Sequence, residues 1–265
     1  MNLFADAFAW IFSPDRLTSS LPLPLAIWQH LAFTFGSVAI AALIAIPLGW
    51  LIGHTGRGRE IAVALSGAAR ALPSLGLVLL LVLVIGVIYK TEAAVVSFVL
   101  LAIPSILAGA YAGFEAIERS VIDSGRAVGM TPWQVLWKIE VPLGLPLLIG
   151  GIRSAALQVV ATVTIAAYIG LGGLGFYFIQ GIQLRRFDQV LGAALVVVAL
   201  ALLLDGVFAL LQRLVVPRGV RVRADASGND APTRSAPGRS APGGSTPVRR
   251  GDDASLAPAT ASGSA

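Results

Sequence analysis

Few residues in this 265-residue chain have the types and spacing to do chemistry. Arg70, Arg153 and Asp205 interrupt long apolar runs, a setting in which a charge is expected to pair or to line a polar path. Counted from the nearest polar ends at the α-helical rise, each stands roughly 14 to 18 Å into its run. Similar depth permits pairing, so Asp205 with Arg153 or Arg70 is the candidate ion pair, and Gln158, Thr162 and Arg153 are candidates to line a path. Thr in a membrane helix more often bonds its own backbone or a neighbour. "GLGGLG" (Gly170, Gly172, Gly173, Gly175) formally matches the dinucleotide pattern G-x-G-x-x-G. It closes an apolar run, however, and lacks the strand before it and the ribose-binding acid after it. It reads as a tight turn where backbones approach closely. No G-x-x-x-x-G-K-[ST] occurs, the chain has no cysteine, and its two histidines, His30 and His54, lie far apart. Neither a catalytic site, a metal site nor a cofactor is therefore expected in this chain.

One stretch is polar against its surroundings: "DSGRAVGMTPWQVLWKIEVP", residues 123–142. Extended back to Glu115, it places Ile117, Val121, Ser124 and Val128 along one helical stripe. Gly129 stands where a helix C′ residue needs positive φ. Thr131, Pro132 and Gln134 then form a capping box with the favoured Pro at N1. A second short helix carries Trp133, Leu136, Trp137 and Ile139, and Pro142 is expected to end it. Such a rigid helix–turn–helix suits two roles, a pair of interfacial helices on lipid headgroups or a docking surface for a soluble partner.

The elements that carry these residues are set by composition. Charged residues make up 12% of the chain, with a mean hydropathy of +0.83, about half the charge of a soluble domain. Runs near residues 31–53, within 61–89, and at 93–113, 143–168 and 190–216 approach or exceed the roughly 20 residues that cross a bilayer. The second carries Arg70 and Pro73 near its start, so it reads as a bent helix or as a short helix leading into a span. The expectation is an all-α polytopic protein with five spans, or six. Residues 1–27 precede the first span, and "MNLFADAFAWIF" has no basic region or small-residue cleavage site. It suits a short interfacial helix with Trp10 and Phe12 at headgroup level.

Orientation follows from Lys and Arg in the connections. With residues 123–142 inside the cell, nine basic residues face inward and four outward. That places the N-terminus outside and the C-terminus in the cytoplasm. From residue 218 onward the composition shifts to Arg, Pro, Ala, Ser and Gly, with a tandem "RSAPG". Seven Arg and four Asp there supply +3 of the net +5. Nothing in 218–265 recurs to bury, so a disordered cytoplasmic tail is expected, and without aromatics it does not read as a nucleic-acid surface.

The polar stretch resembles the "EAA" loop of permeases from binding-protein-dependent ABC importers. That pattern is Glu-Ala-Ala, three residues, Gly, nine residues, Ile-x-Leu-Pro; here it is Asp123-Ser124-Gly125, then Gly129, then Ile139-x-Val141-Pro142. Asp replaces Glu and Ser-Gly replaces Ala-Ala, while the spacing is intact. "ALPSLGLVLLL" (71–81), "IPSILAGAYAGF" (103–114), the segment 150–182 and "VFALLQRLVVP" (207–217) are similar to permeases of osmoprotectant importers. The resemblance covers about residues 28–217. It implies the type I importer permease fold in a bacterial plasma membrane, with 115–142 as the loop that couples to an ATPase. Asp123, Gly125, Gly129, Thr131, Pro132, Ile139 and Pro142 are the coupling positions it marks, and the glycine turn becomes a candidate outer gate. It further implies ATP bound by partner ATPase subunits, an extracytoplasmic solute-binding protein, a second permease, identical or homologous, and a solute such as glycine betaine, choline, carnitine or proline betaine. Methionine-type permeases share the loop but fit less well at 71–81. A secondary transporter would show more midplane carboxylates than Asp205 alone, and a mere membrane anchor would not need a rigid capped loop.

Overall fold

The computed structural model describes residues 2–215, and the expected tail lies outside them. It is all helix among the described residues. Helices α1 (Leu3–Ile11) and α2 (Asp15–Thr18) precede α3 (Leu23–Thr55), followed by α4 (Arg59–Ala71), α5 (Ser74–Ile85) and α6 (Lys90–Glu115). Then come α7 (Arg119–Ala127), α8 (Pro132–Val135), α9 (Val141–Ile165), α10 (Gly175–Gln183) and α11 (Phe187–Val215).

Four helical segments among the described residues are long and apolar enough to cross a membrane: Leu23–Thr55, Val87–Glu115, Pro132–Ile169 and Phe187–Val215. The fifth apolar run is met in two pieces. Pro73 cannot continue α4, because it lacks an N–H and restricts Leu72 before it, so α5 starts afresh at Ser74. At 12 residues, α5 is about 18 Å long against a hydrocarbon core of about 30 Å. Of the two forms expected for this run, the structure has the short helix leading into an apolar one.

Packing centres on α6, whose apolar window is 67% buried inside the chain, whereas that of α11 is only 6% buried. Helices α3, α6 and α9 meet through small residues, since lipid offers no hydrophobic gain over a neighbouring helix and close approach must supply the contact. Ala41, Ala45, Ala102, Ala110, Ala155 and Ala156 are buried there, with Phe98 and Ile106 filling between them. Backbones touch where glycines face each other. A Cβ on Gly113 would lie 2.6 Å from the Gly144 carbonyl, and one on Gly151 would lie 2.7 Å from the Ser105 carbonyl.

Two expectations change here. Trp10 does not turn its ring outward. It is 4% exposed, seated over Gly192 of α11 and edge-on to Tyr177 at 5.1 Å; Phe12 alone is turned outward, at 79% exposure. Pro142 does not end a helix either. The chain passes from α8 through a π turn, Leu136–Glu140, directly into α9. A wider i→i+5 turn relieves the register clash that Pro142 would impose on a regular helix.

Candidate functional site

The polar stretch forms a rigid corner whose parts each follow from local sequence. Helix α7 ends in a Schellman arrangement: Gly129 N–H bonds the Arg126 carbonyl at 2.9 Å and Met130 N–H bonds the Gly125 carbonyl at 3.1 Å. Gly129 has φ +84°, which an L side chain rarely adopts. Two residues on, Thr131 opens α8. Its N–H bonds Gln134 Oε1 at 2.9 Å, while Gln134 N–H bonds Thr131 Oγ1 at 3.3 Å, and Pro132 takes N1.

The two arms meet at Gly125 and Ile139, where a Cβ on Gly125 would lie 2.7 Å from Ile139 Cδ1. The expected apolar stripe of α7 faces the other way. Val121 and Val128 are exposed, while Gly125 is buried. The reason is that the corner buries a glycine, leaving the valines, with Trp133 and Trp137, as its outer surface. Asp123 is also outward, 3.9 Å from Arg126, and it lines a mixed-charge cleft with Glu115, Arg119 and Arg126 beside the end of α3.

Two contacts that sequence reading missed tie this corner to the bundle, and a third joins α4 to α6 beside it. His54 Nδ1 donates to Glu140 Oε2 at 2.6 Å. Arg59 Nε meets Glu115 Oε1 at 2.6 Å. Trp137 stands edge-on to Trp50, which stacks on Phe114. No local signal pairs His54 with a residue 86 positions away.

At the opposite end of the bundle, Gly170, Gly172 and Gly173 have φ of +72°, +88° and +67°. Gly175 is crowded against the Thr164 carbonyl and Ala167. The N-terminal part of α3 holds this turn: Gly173 N–H donates to Gln29 Oε1 at 3.1 Å, and buried His30 donates from Nε2 to the Val160 carbonyl at 3.1 Å. A cleft of about 640 Å³ beside the turn is lined by Gln29, Gly170, Gly172, Phe176, Gln180 and Gln183.

Between these ends, Arg153 and Asp205 form a two-pronged pair, Nε–Oδ1 at 2.5 Å and Nη2–Oδ2 at 2.6 Å, linking α9 to α11. The Arg70 side chain lies outside the described residues. Thr162 is buried and its hydroxyl bonds the Gln158 carbonyl at 2.9 Å, while Thr164 bonds the Val160 carbonyl at 3.2 Å. Both hydroxyls spend their donor within α9.

The capped corner runs without interruption into the next span. The family model described as "binding-protein-dependent transport system inner membrane component" matches residues 45–220. The chain belongs to this family. Curated relatives agree along nearly their whole length. The carnitine transport permease protein OpuCB of Listeria monocytogenes is 31% identical over 194 residues, 73% of this chain and 88% of that protein. The osmoprotectant import permease protein OsmW of Salmonella typhimurium is 34% identical over 200 residues, 73% of this chain and 92% of that protein. Among solved structures, a chain of the inward-facing MetNI methionine ABC transporter superposes with a TM-score of 0.67 at 23% identity, covering 78% of this chain and all of that one. At that identity the likeness carries the fold alone. In this chain Gly125 and Ile139, 14 positions apart, pack against each other across the corner.

Proposed function

We propose that this chain is the permease subunit of an ATP-driven importer for small quaternary ammonium osmoprotectants, the class to which glycine betaine, choline and carnitine belong. The observation that carries the mechanism is the rigid corner at Gly129–Thr131–Pro132, continuous with a span. The solute class rests on relatives named for carnitine, choline and osmoprotectant transport.

In this reading ATPase subunits dock on the face formed by Val121, Asp123, Val128, Trp133 and Trp137, in the cytoplasm together with the C-terminal segment. ATP is bound by those subunits and not by this chain. A second permease completes the path, because one such bundle cannot enclose a hydrophilic route by itself. A solute-binding protein delivers cargo to the end that holds the glycine turn. ATP-driven closure then biases the pair between outward- and inward-open states. The turn, with three left-handed glycines under Gln29 and His30, serves as the gate on that side. The Arg153–Asp205 pair keeps two charges compatible with the membrane interior.

The test uses Asp123→Lys and Gly129→Val in membranes that also contain the ATPase. Both variants reach the membrane at normal abundance, lose uptake of labelled betaine and co-purify poorly with the ATPase. Full uptake and full co-purification by both would leave the corner a pair of interfacial helices and remove the reading.

A further inference from the structure

The corner between α1–α2 and the α10–α11 junction holds a cavity of about 600 Å³ that the transport mechanism does not use. Its wall includes Trp10, Arg16, Arg185 and Arg186, with Asp6, Asp15 and Asp188. Two donors in it are buried and have no acceptor, Trp10 Nε1 and Arg16 Nε. Trp10 is 4% exposed, and Arg16 stacks its guanidinium 4.9 Å over the Trp10 ring, so both donors are fixed in place. Asp188 is taken by Arg186 at 3.2 Å. Arg185 has φ +54° as the left-handed residue that closes α10, where its N–H bonds the Ile182 carbonyl at 3.2 Å and Arg186 N–H bonds the Gly181 carbonyl at 2.8 Å; this turn brings it to the cavity wall.

Buried donors without acceptors call for an acceptor-rich group, and converging arginines suit an oxyanion. The outer face of α1 identifies its source. Ala7 and Trp10 bury one side of the helix against α11, while Leu3, Phe4, Phe8 and Phe12 stand 44%, 60%, 53% and 79% exposed on the other. Phe187 beside the cavity is 63% exposed. A helix with an exposed aromatic face next to an arginine pocket at the end of a span meets both halves of one molecule, a phosphate head and acyl tails. The aromatic face speaks against a soluble acidic protein as occupant.

We propose that Trp10 Nε1, Arg16 and Arg185 bind the phosphodiester of a membrane phospholipid whose acyl chains lie along Phe4, Phe8 and Phe12. Asp6 and Asp15 then face the polar substituent beyond the phosphate. The site clamps α1 to the start of α11, at the end of the bundle remote from α7 and α8. It is independent of which solute is carried and of which side that end faces.

The experiment uses the full chain, delipidated in detergent and then titrated with dioleoyl phosphatidylglycerol, dioleoyl phosphatidylethanolamine, dioleoylglycerol or inorganic phosphate. Bound lipid is counted by native mass spectrometry and stability is read by thermal unfolding. Phospholipid binds and raises the unfolding midpoint; dioleoylglycerol and inorganic phosphate do not. Arg16→Gln with Arg185→Gln weakens phospholipid binding by about tenfold or more, as loss of charge-assisted bonds predicts. Trp10→Phe keeps the ring packing and weakens it to a smaller degree, so a folding failure in the double variant leaves a second readout. Equal binding of dioleoylglycerol, or unchanged phospholipid binding in both variants, overturns the proposal. So does loss of solute-binding-protein docking with phospholipid binding intact, which would assign the pocket to a protein partner.

Discussion

His54 in the last turn of α3 donates to Glu140 in the π turn that joins α8 to α9, at 2.6 Å, and Glu140 is 4% exposed. The bond ties the corner to α3, whose other end holds the glycine turn through Gln29. His54→Ala leaves a buried carboxylate without its partner, which costs about 1–3 kcal/mol. Glu140→Gln keeps an acceptor and costs less. The pairing of His54→Ala with Glu140→Leu removes the orphan and recovers most of the stability. If the contact transmits motion, that double variant still hydrolyses ATP with its partner subunits yet transports poorly. Thermal unfolding and the ratio of uptake to hydrolysis are the measurements, and an unchanged ratio would sink the mechanical role.

Gly129 separates conformation from space. A Cβ there meets nothing within 4 Å, and only its φ of +84° restricts the residue. Gly129→Asn should retain most uptake, because Asn tolerates the left-handed region, whereas Gly129→Val should cost about 1–2 kcal/mol and lose it. Equal loss in both variants would mean that the site senses bulk against the ATPase.

Gly113 is the reverse case. Its backbone is ordinary, but a Cβ would fall 2.6 Å from the Gly144 carbonyl and 3.0 Å from Gly144 Cα. Gly113→Val should part α6 from α9 and cut folded protein extracted from membranes several-fold, by about 1–3 kcal/mol of overpacking. Gly36→Ala, with nothing within 4 Å of its Cβ, should be silent. Size-exclusion yield after extraction compares them; a normal profile for Gly113→Val would contradict the close approach.

The pair of Arg153 with Asp205 predicts a coupling. Asp205→Asn strands a guanidinium between α9 and α11 and lowers the unfolding midpoint. Arg153→Gln added to it restores part of the loss. Strict additivity of the two substitutions would show that they do not act as a pair.

What the sequence made legible was local. Gly129, Thr131 and Pro132 carry their conformations in their own covalent structure, so the turn and the cap could be named in advance. Long apolar runs marked spans for the same reason, and Pro73 marked the break. Side selection was harder. The stripe of Val121 and Val128 was visible as a period, but period alone does not say which face is buried, and here Gly125 claims the inside. Pro142 looked like a stop because a regular helix cannot absorb it, and the π turn has no simple sequence mark. The inward turn of Trp10 had no local sign, because the seat for its ring is opened by Gly192, far along the chain on α11. The approach of α6 to α9 did have a readable sign, the G-x-x-x-G of Gly109 and Gly113 in an apolar helix, which was passed over.

Because α8, the π turn and α9 are one helical segment, Pro132–Ile169, its 38 residues make a shaft of roughly 57 Å at the α-helical rise. Under the proposed coupling it acts as a lever, with its crossing of α6 at Gly113 and Gly144 as fulcrum, so that a tilt at Pro132 swings Ile169 and the glycines beyond it in the opposite sense. Its compliance lies where the regular helix is interrupted: the five-residue π turn, Pro146 inside α9 and the 3₁₀ turn Ala166–Ile169. Stiffening or loosening those joints would change the length of the stroke without altering either surface they connect.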